Sequence, residues 1–154
     1  MPRIVTPLPL AVGASAVVCT IFPHALAVSA TVTFVRHERT RDRVGASVWI
    51  DVAIVGLVTS CAFVAHLLEI TVWAVVFLLC GEFAAFGTAY YHSAVNYTTL
   101  GYGDVLMTPS WRLLGPLEAA DGVLMFGVST AMIFAVIQRL ILDRFVDLRC
   151  HFQK

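Results

Sequence analysis

Apolar residues fall into three long runs separated by short polar stretches. They extend from about Leu8 to Val35, from about Val48 to Cys80, and from about Leu117 to Leu142. Each run is apolar on all sides, as expected of a helix facing lipid. The second is longer than a hydrocarbon core of about 30 Å requires, so it must tilt or project beyond the bilayer. Pro23, inside the first run, removes a backbone donor and predicts a kink or break there. The segment from Glu82 to Asn96 is only moderately apolar. About four turns long, it is too short to cross and predicts a helix that enters the membrane part way. The next residues, Thr98 to Asp104, carry Gly101 and Gly103 and do not continue a helix. A polar connector with Pro109, Trp111 and Arg112 leads to the third run.

Composition agrees with this pattern. The chain has 154 residues, 59% hydrophobic and 13% charged, too little charge for the surface of a soluble domain. A formal net charge of zero provides no basic field for nucleic acid. The positions of the charges say more. Arg36, Arg39, Arg41 and Arg43 crowd the loop after the first run, and Arg139, Arg144, Arg149 and Lys154 end or follow the third. Basic excess of this kind marks the cytoplasmic side. With loop and tail both inside, two spans and an outer half-crossing lie between them, and the N-terminus is outside. Four complete spans would put loop and tail on opposite sides. Ala25-Leu26-Ala27 resembles a signal-peptide cleavage site, but cleavage would leave the arginine cluster outside, so the first span is expected to be retained. Cys19, Cys61, Cys80 and Cys150 have no CxxC spacing and read as small hydrophobes. The expected class is an all-α membrane protein in three parts. Residues 1–47 form a first span and basic loop, 48–142 a central module, and 143–154 a short cytoplasmic tail.

The run Thr99-Leu100-Gly101-Tyr102-Gly103-Asp104 resembles the selectivity-filter signature of potassium channels, Thr-Val-Gly-Tyr-Gly followed by Asp. The resemblance covers about 48–142, which correspond to the family's outer helix, pore helix, filter and inner helix. Its chemistry is intelligible. An ion in a narrow pore must exchange water for other oxygens at once, because unsolvated charge in low dielectric is very costly. Backbone carbonyls serve if successive ones face the axis. That requires alternating conformations, some with positive φ, which glycine accepts. The resemblance implies K+ sites at the carbonyls of Thr99, Leu100, Gly101 and Tyr102, with the Tyr102 ring packed behind the filter. It places Asp104 at the outer mouth and Thr98, Val95 and Tyr91 in support. One chain supplies one wall, and no internal repeat is present, so the family's assembly, a homotetramer around a central pore, is expected. The function implied is passive K+ conduction, not enzyme activity, in the plasma or inner membrane. The partners are lipid, K+ and further copies of the chain, with no cofactor.

Leu100 replaces the family's usual valine, which makes a weakly selective cation channel the alternative. Val95 stands where the family often has an acid or an aliphatic residue, so no buried carboxylate is expected from that position. Tyr91 and His92 replace paired tryptophans, and Tyr91 is placed to offer its hydroxyl to Asp104. Gly122 and Gly127 are candidates for a hinge in the third span or for close packing. No span has arginines at every third position, so no voltage sensor is expected.

Inside the second span, His66 and Glu69 stand at i and i+3 on one helix face. Joined by His24 of the first span, they read either as a metal or proton site or as a hydrogen-bonded fastening between helices. The first of these would make the protein a membrane metal- or proton-binding protein. Glu118 and Asp121 are expected behind the filter or against Arg112. His92 is a candidate pH sensor or packing residue.

Overall fold

A computed structural model describes residues 7–40 and 47–152, with side chains described as far as Arg144. The described residues form four helices. These are α1 (Pro7–Thr40), α2 (Val48–Leu79), α3 (Phe86–Tyr97) and α4 (Leu114–Phe152). α1, α2 and the Leu114–Arg144 part of α4 are long and apolar enough to cross a membrane.

α1 runs without interruption through Pro23, so no break occurs there. α1 also continues to Thr40, so Arg36 and Arg39 belong to its last turns and not to a loop. Arg41, Asp42 and Arg43 lie outside the described residues, as do the side chains of Asp147, Arg149, Cys150 and Lys154. α4 likewise runs unbroken past Gly122 and Gly127.

α2 stops at a left-handed glycine. Gly81 has φ 74°, its N–H bonds the Leu78 carbonyl, and the Glu82 N–H reaches back to the Phe77 carbonyl at 3.1 Å. This pair of bonds satisfies carbonyls that the helix end would otherwise orphan. α3 therefore starts four residues later than the sequence pattern suggests. At 12 residues it is about 18 Å long, well short of the hydrocarbon core.

The chain divides into two compact units. One comprises Met1–His24 and His66–Phe126, the other Ala25–Ala65 and Gly127–Lys154. The first unit buries Ala16, Ile70, Trp73, Ala74, Phe77, Ala89, Tyr97, Leu114 and Met125 together. Three of these nine are alanine, which lets backbones approach closely where lipid offers no hydrophobic drive to associate. The second unit has a smaller core of Ile54, Val58, Val136 and Leu140. Large apolar side chains such as Phe22, Trp49, Phe63 and Phe134 remain exposed on this chain, as suits side chains that meet lipid or another subunit.

Candidate functional site

The loop after α3 folds back over that helix's own C-terminal end. Thr99 N–H bonds the Asn96 carbonyl at 2.8 Å, and Leu100 N–H bonds the Val95 carbonyl at 2.9 Å. The Thr98 hydroxyl bonds the Ala94 carbonyl at 2.6 Å. The backbone then alternates. Thr99, Gly101 and Gly103 have φ of 60°, 60° and 74°, while the residues between them keep negative φ. Glycine takes this conformation without strain. Thr99 does not: a β-branched residue at positive φ is an outlier that costs of order 1–3 kcal/mol. Thr99 is the one described non-glycine residue there. The hydrogen bonds on either side hold it.

At the outer end of this strip, the Tyr91 hydroxyl donates to Asp104 at 2.7 Å. That bond holds the Asp104 carboxyl below its ordinary pKa and pushes the Tyr91 phenol up. His92 bonds the Val105 carbonyl through Nδ1 at 3.0 Å and meets the Asn96 amide through Nε2 at 2.8 Å. Only the neutral ring serves both, as Nδ1–H donor and Nε2 acceptor, and burial lowers its pKa accordingly. Glu82 takes the connector's Thr108 N–H at 2.7 Å and its hydroxyl at 2.6 Å.

Behind the inner end lies a buried polar layer. Glu69 Oε1 accepts from His24 Nδ1 at 2.7 Å. Its Oε2 accepts from the Tyr97 hydroxyl and lies 3.0 Å from His66 Nδ1. Asp121 Oδ2 accepts from the Thr20 hydroxyl at 2.8 Å and from Trp73 Nε1 at 2.9 Å. Ser93 donates to Glu118 at 2.5 Å. Glu69 and Glu118 are fully buried and Asp121 is 1% exposed. Gly122 meets the end of α3 so closely that an added β-carbon would fall on the Tyr97 carbonyl oxygen. The same test finds open space at Gly127.

The structure thus gathers Thr98, Thr99, Leu100, Gly101, Tyr102, Gly103 and Asp104 into one strip, with Val95 and Tyr91 bonded to it. His24, His66 and Glu69 come together beside Tyr97, which precedes the strip. Gly122 has a packing reason to be glycine. Glu118 and Asp121 pair with Ser93, Thr20 and Trp73. Sequence reasoning missed four participants of the buried layer: Tyr97, Trp73, Thr20 and Ser93. The only available signal was position, since Tyr97 directly precedes the filter-like run and Thr20 and His24 share one face of α1 at i and i+4.

A family model described as "Ion channel" matches residues 63–139, which take in α3, the strip and much of α2 and α4. No curated protein and no solved structure matches the chain.

Proposed function

The chain belongs to the ion-channel family, and on that premise we propose that it is one subunit of a homotetrameric channel that passes K+ down its gradient. The observation that carries this reading is the alternation of left-handed Thr99, Gly101 and Gly103 with their neighbours. Alternation of this kind turns successive carbonyls toward the same side, and four such strips around an axis replace the water of a K+ ion. The carbonyls of Thr99, Leu100, Gly101 and Tyr102 form the ion sites. Asp104 gives the outer mouth a cation-attracting charge. The C-terminal end of α3, with its partial negative charge, favours a cation below the filter.

Two further facts support four subunits. Leu100 and Tyr102 are 59% and 67% exposed on the single chain, an improbable state for large apolar side chains in a rigid filter unless other copies cover them. The described residues also contain a single strip, so further copies are needed to surround an ion. The N-terminus lies outside and the C-terminus in the cytoplasm, following the basic excess at Arg36–Arg39 and at Arg139 and Arg144.

The test is the reversal potential of purified protein in a planar bilayer with K+ on one side and Na+ on the other. The expected value lies near the K+ equilibrium potential. A value near zero would instead favour the weakly selective channel suggested by Leu100. Absence of current would end the channel reading. Gly101→Ala is expected to abolish conduction, because a β-carbon at φ 60° costs about 1–2 kcal/mol in each of four subunits. Unchanged current in that variant would sink the filter assignment.

A further inference from the structure

α1 up to Phe34 lies far outside the segment matched by the family model. Even so, it places two polar side chains one turn apart on buried acids of the matched module. Thr20 bonds Asp121, and His24 bonds Glu69. The two contacts differ in what lies beyond them. Asp121 leads to Trp73 in α2, whereas Glu69 leads to Tyr97, the last residue of α3.

Counting hydrogens defines the Glu69 cluster. Tyr97 has one hydroxyl hydrogen, spent on Glu69 Oε2. His66 Nδ1 lies 3.0 Å from that same oxygen and 3.1 Å from the Tyr97 oxygen. A lone pair on Nδ1 would face two oxygens with no hydrogen between, so Nδ1 carries the hydrogen. His24 Nδ1, at 2.7 Å from Oε1, is a donor for the same reason. The carboxylate therefore receives three donors from three helices: α1, α2 itself and α3. A shared metal ion fits less well. Tetrahedral zinc keeps its ligand atoms about 3.3 Å apart, whereas the two imidazole Nδ1 atoms stand 2.7 and 3.0 Å from the Glu69 oxygens, with their hydrogens spent on them.

Tyr97 is held on two sides. Its ring hydroxyl is fixed by Glu69 and its backbone carbonyl backs onto Gly122. Two residues later comes Thr99, at an unfavourable φ, whose conformation depends on where the end of α3 is held. We propose that His24 is a specificity-determining positioning residue: acting through Glu69 and Tyr97, it fixes the inner end of the filter and so sets the ion preference of the pore. This rests on the channel reading above. The ionisable and charged groups around the cluster are His66 and Glu69 on α2, Tyr97 on α3, and Asp121 and Glu118 on α4, both in electrostatic reach of Tyr97.

The experiment compares K+ over Na+ permeability ratios of assembled channels in bilayers. His24→Leu, which removes the donor, is expected to lower the ratio about tenfold or more, the scale of a lost hydrogen bond to a charged group. His24→Gln, which keeps an N–H donor, is expected to restore most of it. Tyr97→Phe is expected to reproduce the loss, and the double variant His24→Leu/Tyr97→Phe to be no worse than either alone, since both cut one path. Thr20→Val is the control: it loosens the same helix at Asp121 and is expected to leave the ratio unchanged. If Thr20→Val lowers the ratio as much as His24→Leu, the helix merely docks and the inference is overturned. A wild-type ratio in His24→Leu overturns it too, as do additive losses in the double variant. Should His24→Leu fail to assemble, Glu69→Gln with Tyr97→Phe carries the same decision. A wild-type pore that passes K+ and Na+ equally overturns this inference and leaves conduction standing; a wild type without current ends both.

Discussion

The two compact units treat carboxyl groups in opposite ways. In the unit that carries the Thr98–Asp104 strip, Glu69, Glu118 and Asp121 are buried and held by hydroxyls, an indole and imidazoles. In the other unit, Asp51 pairs with Arg144 at 2.6 Å, and Asp143 lies 3.3 Å from Arg139 and 3.8 Å from Arg39, all part-exposed or exposed. Exposed pairs of that kind contribute about 0.2–1 kcal/mol and suit the water-facing end of a span. A buried acid at mid-membrane costs about 2.5–3.5 kcal/mol to insert. Apolar residues of equal volume would often serve stability as well or better. What the acids add is direction. Each ties helices together through bonds of fixed length and angle, next to a strip whose backbone must keep its conformation. In the second unit a small apolar core and part-exposed ion pairs hold the helices instead.

The largest effect expected from this contrast comes from one substitution made at two places on α4. Gly122→Ala puts a carbon onto the Tyr97 backbone, which cannot swing aside as a side chain would. Overpacking of this sort costs about 1–3 kcal/mol, and the displaced end of α3 leads directly into the Thr98–Asp104 strip. Loss of conduction and a lower midpoint of thermal unfolding in detergent are expected. Gly127→Ala meets nothing and should gain about 0.5–1 kcal/mol from helix propensity. Equal tolerance at both positions would mean that the filter unit is no more tightly determined than its counterpart.

A second, smaller pair sets one acid partner against another. Trp73→Phe removes the indole donor from Asp121 and is expected to cost about 1–3 kcal/mol, as a buried carboxyl oxygen loses one of its two donors. Arg144→Gln removes the guanidinium from Asp51 and is expected to cost under about 1 kcal/mol, with the difference fading in high salt. Unfolding in detergent at two ionic strengths measures both. A costlier Arg144→Gln, or a salt-sensitive Trp73→Phe, would reverse the ranking of the two units.

Much of the architecture was legible in residue pattern. The three spans follow from runs of apolar residues that no soluble fold would expose, and α3 from a segment too short to cross. The end of α1 was misjudged because charge was read as loop. A helix can continue beyond its apolar stretch with its arginines exposed, and α1 continues so to Thr40. Pro23 removes one hydrogen bond, and the turns on either side keep the helix unbroken. The break of helix after Thr98 could be read from order alone, since two glycines two residues apart do not continue a helix and accept the positive φ found at both. The left-handed Thr99 could not, because a β-branched residue's preference opposes it and only the folded-back bonds to Asn96 and Val95 hold it. His66 and Glu69 announced themselves as costly residues in a span. Tyr97, Trp73 and Thr20 are ordinary residues of apolar helices, and only contacts between residues as far as 101 positions apart give them roles.

The smallest expected effect isolates the hydrogen bond from burial. Asp104, like the buried acids, is held by a neutral hydroxyl, yet the Tyr91–Asp104 pair is exposed. The bond depresses the Asp104 pKa, so the native state binds that proton less readily than the unfolded chain does. By linkage, the stabilisation is complete above the ordinary carboxyl value of 3.8 and is lost as pH falls through the lower native value. Tyr91→Phe should therefore leave a small deficit that is constant from mildly acid to neutral pH and vanishes in stronger acid. The Asp104 carboxyl, followed by NMR or through its effect on single-channel current with acidified outer solution, should titrate at higher pH in the variant. A midpoint that does not move would show that the hydroxyl does not govern the mouth charge. Hydrogen bonding would then matter to the acids of this unit only where water is excluded.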